Sequence, residues 1–360
     1  MKIAVLGAGA GGCAAAAELA NAGHQIRLWA RSPATIAPFE AERLVRHTGV
    51  FGQGAVPISW AGSDLSQAVD GVDGVIVVLP TMLHSWLGGE LARVGWSGPC
   101  LLNPGHTGGG LAFRNGYIAA GCASPPIAEF STLTYVARKS DATTVSVTGK
   151  AETVRIASLC DPAGVALALG EAAYPIADRV ENVIATGLMN VNLVLHAPGA
   201  ILGASWVEAT GGKFTFYSDG MGDCVARIMT ALDQERLDVA RAYGLEVPNL
   251  FKEMQSIGTI EPDADERAGL SRAIKSGAAN ISILAPSGFE HRYYVEDILY
   301  GLKPFVALAA AAGCETEIAR SLLTVALAFM PTTEFPGRDA AEMGISGMSR
   351  ETVLNLVMGE

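Results

Sequence analysis

In this 360-residue chain the side chain best suited to moving protons is His196. It lies in Asn190-Val191-Asn192-Leu193-Val194-Leu195-His196-Ala197-Pro198, an otherwise apolar helical run with Asn192 one turn earlier on the same face. Histidine titrates close to neutral pH, so it can take a proton and return it. Pro198 has no N–H and crowds the turn before it, which predicts a kink or pause at the histidine and aims the ring toward a cleft. A core histidine hydrogen-bonded to Asn192 fits the same residues. A second polar cluster, Glu290-His291-Arg292-Tyr293-Tyr294-Val295-Glu296-Asp297, precedes another apolar helix. Arg292 suits bidentate capture of a carboxylate, and Asp297 or Glu296 is placed to start that helix or to orient a histidine. If Asp297 accepts the Nδ1 proton of His196, it fixes the tautomer and stabilises the imidazolium. The plainer alternative is a helix cap beside a surface arginine.

The remaining histidines are weaker candidates. His24 in a surface turn and His47 in a charged stretch should be solvated, and His291 should serve the Arg292 loop. His84 and His106 follow strand ends and are candidates to touch a ligand.

These groups need elements to hold them and a reagent to act with. At the amino terminus an apolar run, Ile3 to Leu6, breaks into Gly7-Ala8-Gly9-Ala10-Gly11-Gly12, followed by an alanine-rich helical stretch to Asn21 and a second apolar run, Gln25 to Ala30. This is GxGxxG inside a β-α-β frame. Gly7 serves the tight turn, Gly9 the approach of backbone to a pyrophosphate, and Gly12 the packing of helix on sheet. A glycine-rich turn without a nucleotide is one alternative. A secretory leader lipidated at Cys13 is another, disfavoured by the single lysine, the glycines and the lack of a disulfide pattern. The second strand ends Ala30-Arg31-Ser32-Pro33, without the acidic residue that receives an NAD ribose. Arg31 and Ser32 suit a 2'-phosphate instead, so NADP is the expected cofactor and NAD the second choice. Arg31 stacked on adenine or lying in solvent fits the same position.

Composition narrows the class. The chain is 50% hydrophobic and 17% charged, with a formal net charge of -11, which disfavours nucleic acid and anionic membrane as partners. No apolar run reaches the length of a membrane span in this reading. Six scattered cysteines without CxxC or metal-ligand spacing read as buried free thiols in a reducing cytoplasm, with no metal site.

The order of elements predicts an α/β protein: a Rossmann dinucleotide-binding domain over residues 1–177, then an all-α domain over 178–360. Strands are expected at Val56 to Trp60, Gly74 to Leu79, Cys100 to Asn103, Ile127 to Phe130, Leu133 to Val136, Thr143 to Thr148 and Val154 to Leu159. Ligands in such sheets lie beyond the carboxyl ends of the strands, so Leu79, Pro80 and His84 should pass near the cofactor. Asn103-Pro104-Gly105-His106-Thr107-Gly108-Gly109-Gly110 forms a second glycine-rich loop at that edge, open to a ligand or merely mobile. Helices are expected from Asn182 to about Leu202, Asp223 to Tyr243, Glu296 to Ala312 and Thr316 to Phe329.

Taken in order, the amino-terminal glycine loop, Asn103-Pro104-Gly105-His106-Thr107-Gly108-Gly109, Glu181-Asn182-Val183, Asn190-Val191-Asn192 running to His196, and Arg292-Tyr293-Tyr294-Val295-Glu296-Asp297 resemble the opine dehydrogenase family, the octopine and nopaline dehydrogenase group. The resemblance covers nearly the whole chain. It implies an enzyme that reductively condenses an amino acid with a 2-oxo acid using a nicotinamide cofactor, with substrates held between two domains; the sequence leaves a homodimer open. It further implies that His196 is the catalytic histidine, Asp297 its partner and Arg292 the arginine for a substrate carboxylate; Asn192, His106 and Thr107 are further candidates for substrate contact. His106 replaces a small residue expected in that loop, and the missing acid after the second strand departs from NAD-using members. A ketopantoate-reductase-like 2-oxo-acid reductase would look to a lysine, and Lys213, Lys252, Lys275 and Lys303 have no comparable motif around them. A non-enzymatic NADP-binding sensor would keep the glycine loop without needing the His196 and Asp297 pair.

Overall fold

The computed structural model describes residues 1–277, 280–331 and 335–359. Contacts divide the chain into a first unit, Met1–Thr186 with Val357–Glu360, and a second, Gly187–Leu356.

The first unit carries strands β1 (Lys2–Leu6), β2 (Gln25–Trp29), β3 (Leu44–Gly49), β4 (Gly54–Pro57), β5 (Trp60–Gly62), β6 (Gly74–Val77), β7 (Cys100–Leu102), β8 (Ile127–Phe130), β9 (Tyr135–Lys139), β10 (Thr144–Lys150), β11 (Val154–Leu159) and β12 (Ala177–Arg179). Its helices are α1 (Ala10–Asn21), α2 (Pro33–Glu42), α3 (Leu65–Val69), α4 (His84–Arg93), α5 (Gly109–Ala119) and α6 (Val165–Ala173). Eight strands form one sheet in the order β12-β11-β8-β7-β6-β1-β2-β5, parallel except where β11 meets β8. The chain leaves β1 for β2 on one side and returns through β6 on the other. That reversal is the topological switch point at which α/β sheets bind ligands.

Sequence reasoning missed a second sheet, β4-β3-β10-β9. It packs on α1, which therefore touches strands of both sheets. Ala14, Ala15, Ala16 and Ala17 are all fully buried as a result. Only small side chains let two sheets close on one helix, which accounts for the alanine run. His47 lies on β3 and is buried, contrary to the solvated position expected; its ring nitrogens meet Asn21 and the carbonyl of Gly52. The single strand anticipated at Val56 to Trp60 is two, β4 and β5, one in each sheet.

The boundary expected after 177 falls inside β12, which pairs with β11 and extends the main sheet to Arg179. Of the six free cysteines only Cys13 and Cys100 are buried; Cys122 and Cys224 are exposed, so the uniform burial expected of the thiols does not hold.

Beyond the sheets the chain is helical: α7 (Val183–Leu188), α8 (Asn192–Leu202), α9 (Ala204–Thr210), α10 (Asp223–Ala242), α11 (Leu250–Ser256), α12 (Leu270–Ser276), α13 (Arg292–Val295), α14 (Lys303–Ala311), α15 (Glu317–Phe329) and α16 (Arg350–Met358). Among the described residues of the second unit the only β pairing is the isolated bridge Thr215 to Leu284. Two expectations change here. The long helix from Asn182 is interrupted before the histidine, at Met189 to Val191, while α8 runs through His196 and Pro198 without the predicted break. Pro198 sits in the second half of α8, where it removes one ladder bond and leaves the turn bearing His196 in register. The stretch Val183–Leu202 is also apolar and long enough to cross a membrane, contrary to the sequence reading, but 94% of its window is buried within the protein. It is core.

Candidate active site

In the first unit the glycine loop joins β1 to α1. Gly7 has φ 128°, a conformation costly for any residue with a Cβ, and its N–H donates to Trp29 O at 2.9 Å. A Cβ at Gly7 would overlap the Val78 carbonyl, and one at Gly12 would overlap the Gly7 carbonyl. Both glycines are thus required by the protein's own packing. Gly9 differs: a Cβ there meets nothing within 4 Å. Gly9 is also the N-cap of α1 and supplies no side-chain cap to the helix's first N–H groups. Open space over an uncapped helix N-terminus suits an anion, so these residues fit the pyrophosphate of a dinucleotide. Ala8 and Ala10 complete the turn, Val78 Cγ1 lies beside the Cβ position of Gly11, and Leu79 flanks Gly7. Pro80 is exposed at the end of this segment.

After β2, the Arg31 guanidinium lies over the Trp86 ring at 5.3 Å, and Trp86 stacks with Trp29 at 6.5 Å. Ser32 caps α2, its Oγ accepting from Thr35 N at 3.4 Å. Its hydroxyl proton is still able to reach an anion. Ala30 stands where an acid would receive a ribose.

The second glycine-rich loop follows β7, and its geometry has a cause the sequence reading missed. Glu129 is fully buried on β8. Its Oε2 accepts from Gly110 N at 2.7 Å and its Oε1 from the Thr186 hydroxyl at 2.5 Å. A Cβ at Gly105 or Gly110 would run into this carboxylate. Those two glycines are there for Glu129, with no ligand required to explain them. The signal was present as the one charge in an otherwise apolar strand, Ile127-Ala128-Glu129-Phe130. Asn103 pairs twice with Thr134. His106 adopts a left-handed conformation at φ 58° and is buried, and Thr107 and His84 have no accessible surface. Full burial leaves the ligand contacts expected of Thr107 and His84 without support.

In the second unit His196 is held from two sides. Its Nδ1 lies 2.7 Å from Asp297 Oδ2 and its Nε2 lies 2.7 Å from the Tyr217 hydroxyl. Both ring nitrogens are taken, so the hydrogen bond to Asn192 weighed from sequence is not made; Asn192 begins α8, half-buried, one turn before the histidine. Tyr293 stacks on the imidazole at 4.1 Å, Phe216 packs at its edge, and the Tyr217 and Tyr293 hydroxyls are 3.3 Å apart.

Asp297 is placed by an irregular helix. His291 caps α13 by accepting from Tyr293 N, while Asp297 stands at the start of the next turn, Ile298–Leu302, without the side-chain cap bond expected of it. Ile298–Leu302 is a π-helical turn in which Leu302 N donates to Asp297 O at 2.9 Å. Such turns concentrate at functional sites because they re-aim a side chain. Arg292 is half-exposed and pairs with Glu296 at 3.4 Å. Burial pulls its basicity down, but Asp297 and Glu296 outweigh that and raise it. Burial, then Tyr293 and Asp297, push the Tyr217 hydroxyl well above the usual phenol range, against Arg292. Tyr217 is therefore a neutral donor.

Residues 179–330 match the model of the NAD/NADP octopine/nopaline dehydrogenase alpha-helical domain, and residues 2–88 that of the NAD-dependent glycerol-3-phosphate dehydrogenase N-terminus. An opine dehydrogenase of Arthrobacter sp. (strain 1C) is 29% identical over 358 residues, 98% of each chain. Residues 179–330 thus carry an octopine/nopaline dehydrogenase-type helical domain, and the whole chain is similar to an opine dehydrogenase. Octopine dehydrogenase in complex with NADH and agmatine has the same fold, with a TM-score of 0.78 at 21% identity over 98% of both chains. Yersinopine dehydrogenase with NADP+ bound aligns at TM-score 0.74, 15% identity, over 91% of this chain and 90% of that one. Members of this fold thus carry either nicotinamide dinucleotide.

These similarities identify the chain as an NAD(P)-dependent oxidoreductase with a Rossmann-type first unit and a mostly helical second one. Neither Tyr217 nor Glu129 came from sequence reasoning. For Tyr217 the available signal was the dense aromatic run Phe214, Phe216 and Tyr217 after Lys213.

Proposed function

We propose that this opine dehydrogenase-like enzyme condenses the amino group of an amino acid with a 2-oxo acid and reduces the resulting imine. The observation that carries the reading is one histidine held at Nδ1 by a buried carboxylate, with a half-exposed arginine on the same segment as that carboxylate. Imine formation expels water, so a proton must leave the amine and another must reach the departing oxygen. His196 is the store from which both protons are drawn and returned, and Asp297 holds its tautomer and stabilises the cation. Arg292 binds a substrate carboxylate through its planar fork. Asn192 and His106 are further candidates for substrate contact.

Gly7, Ala8, Gly9, Ala10, Gly11, Gly12, Leu79 and Pro80 would hold the dinucleotide, whose nicotinamide supplies the hydride. Ala30 in place of an acid, with Arg31 and Ser32 following, favours NADPH over NADH. Free, partly exposed thiols are compatible with a reducing cytoplasm.

The test is a matrix of amino acids against 2-oxo acids with NADPH and NADH, with products identified by mass. Consumption of reduced cofactor that needs both substrates and yields a secondary amine is expected. Reduction of the oxo acid alone to a hydroxy acid at the same rate would overturn the proposal. In the same assay, Arg31→Ala should raise KM for NADPH more than for NADH; equal changes would remove the 2'-phosphate argument.

A further inference from the structure

His196 does not present a free nitrogen to a substrate. An aspartate carboxylate only accepts, so the proton between His196 and Asp297 resides on Nδ1 and the lone pair on Nε2. That lone pair is filled by the Tyr217 hydroxyl at 2.7 Å. With its one proton committed to the histidine, Tyr217 Oη can only accept from Tyr293, 3.3 Å away. The three groups form a directed chain, Tyr293 to Tyr217 to His196 to Asp297. Tyr217 is buried, and Phe216 and Tyr293 pack against the imidazole on other sides.

We propose that the Tyr217 hydroxyl, rather than His196 Nε2, is the group that exchanges protons with the substrate, and that His196 is the reservoir behind it. This rests on the condensation reaction proposed above. The balance closes through one atom. An incoming ammonium gives a proton to Tyr217 Oη while the hydroxyl proton passes to His196 Nε2; the amine becomes neutral and the imidazole a cation held by Asp297. The amine adds to the carbonyl carbon, and its nitrogen's surplus proton moves to the former carbonyl oxygen, giving a carbinolamine. The imidazolium then returns its proton to Tyr217 Oη as the hydroxyl proton passes to the carbinolamine oxygen. The C–O bond breaks, water leaves and an iminium carries the original positive charge. Tyr217 and His196 end as they began. A phenol kept neutral suits this role, because it passes a proton in either direction without storing charge. Direct action by His196 would instead require Tyr217 to leave the ring nitrogen each time a substrate binds.

Tyr217→Phe removes the hydroxyl and keeps the ring against Phe216. For the wild type and this variant, kcat, KM and NADPH affinity are measured, together with kcat in mixtures of light and heavy water. The relay predicts a loss of about 10²- to 10⁴-fold in kcat, little change in NADPH affinity, and a proton inventory that is curved in the wild type and linear in the variant. Two protons move together in the first case and one in the second. A purely structural tyrosine would not change the shape of that inventory. A variant retaining kcat within a few-fold of the wild type overturns the relay, as does an unchanged inventory. If the wild type itself fails to join any amine and 2-oxo acid pair, the condensation reading falls and the relay with it; an active wild type with an equally active variant removes the relay alone.

Discussion

Glu129 Oε2 lies 2.7 Å from the backbone nitrogen of Gly110, beneath a loop whose Gly105 leaves no room for a Cβ over the same carboxylate. A fully buried acid thus holds the first turn of α5, while its other oxygen receives the Thr186 hydroxyl. Negative charge at a helix N-terminus is favourable, and the enclosed site raises the cost of losing it.

Glu129→Ala should therefore destabilise the first unit by roughly 1–3 kcal/mol for each buried donor it orphans. Hydrogen exchange at the Gly110 amide reports this locally, and denaturant midpoints report it globally. Unchanged protection at Gly110 would show that the carboxylate does not hold the loop.

The parts of the fold legible in sequence were those written in a single local pattern. GxGxxG between two apolar runs located β1, α1 and β2, and helical periodicity located most of the second unit. The four-stranded sheet was not legible, because β3 carries Arg46 and His47 among its six residues and looks charged unless one knows that it covers α1. In the candidate site, His196, Asp297 and Arg292 stood out as polar residues in apolar or aromatic surroundings. Tyr217 did not, since a tyrosine in an aromatic run looks like core until its hydroxyl is seen on Nε2. The glycines at 105 and 110 misled in the opposite direction. Glycine permits close approach but does not say by what, and here the approaching group belongs to the protein.

The three glycines of the first loop should separate in mutagenesis. Gly12→Ala places a methyl against the Gly7 carbonyl, and Gly7→Ala adds a positive φ to a similar clash. Both should lower Tm. Gly9→Ala meets no protein atom within 4 Å, so Tm should hold while affinity for NADPH falls at least tenfold. Thermal melts alongside cofactor titration distinguish the cases. A Gly9→Ala protein that binds NADPH normally would remove the pyrophosphate from that space.

Glu296 gives the second unit a pH dependence. Burial raises its carboxyl above the usual range, Arg292 opposes this and Asp297 adds to it. Because the folded value exceeds the unfolded one of about 4.3, the protonated form is favoured by folding. Its stabilising contribution is complete below the unfolded value and lost as pH rises through the folded one. Glu296→Gln lacks this titration. The difference in Tm, wild type minus Glu296→Gln, should fall as pH rises above about 4.3; a flat difference would mean that Arg292 cancels the burial.

Asp297→Asn tests the orientation of the histidine without emptying its surroundings. An asparagine can turn its NH2 toward Nδ1, which sends the imidazole proton to Nε2, where it points at the Tyr217 hydroxyl. That tautomer has no lone pair for Tyr217, so the directed chain reverses. With the oxygen turned to Nδ1 instead, the tautomer survives but the negative charge that stabilises the imidazolium does not. Either way kcat should drop on the order of 10²- to 10⁴-fold. NADPH affinity should be unchanged, because the glycine loop belongs to the other unit. Weakened cofactor binding would contradict that division of labour, and a kcat close to that of the wild type would show that the carboxylate on Nδ1 is structural, with the proton chemistry located elsewhere.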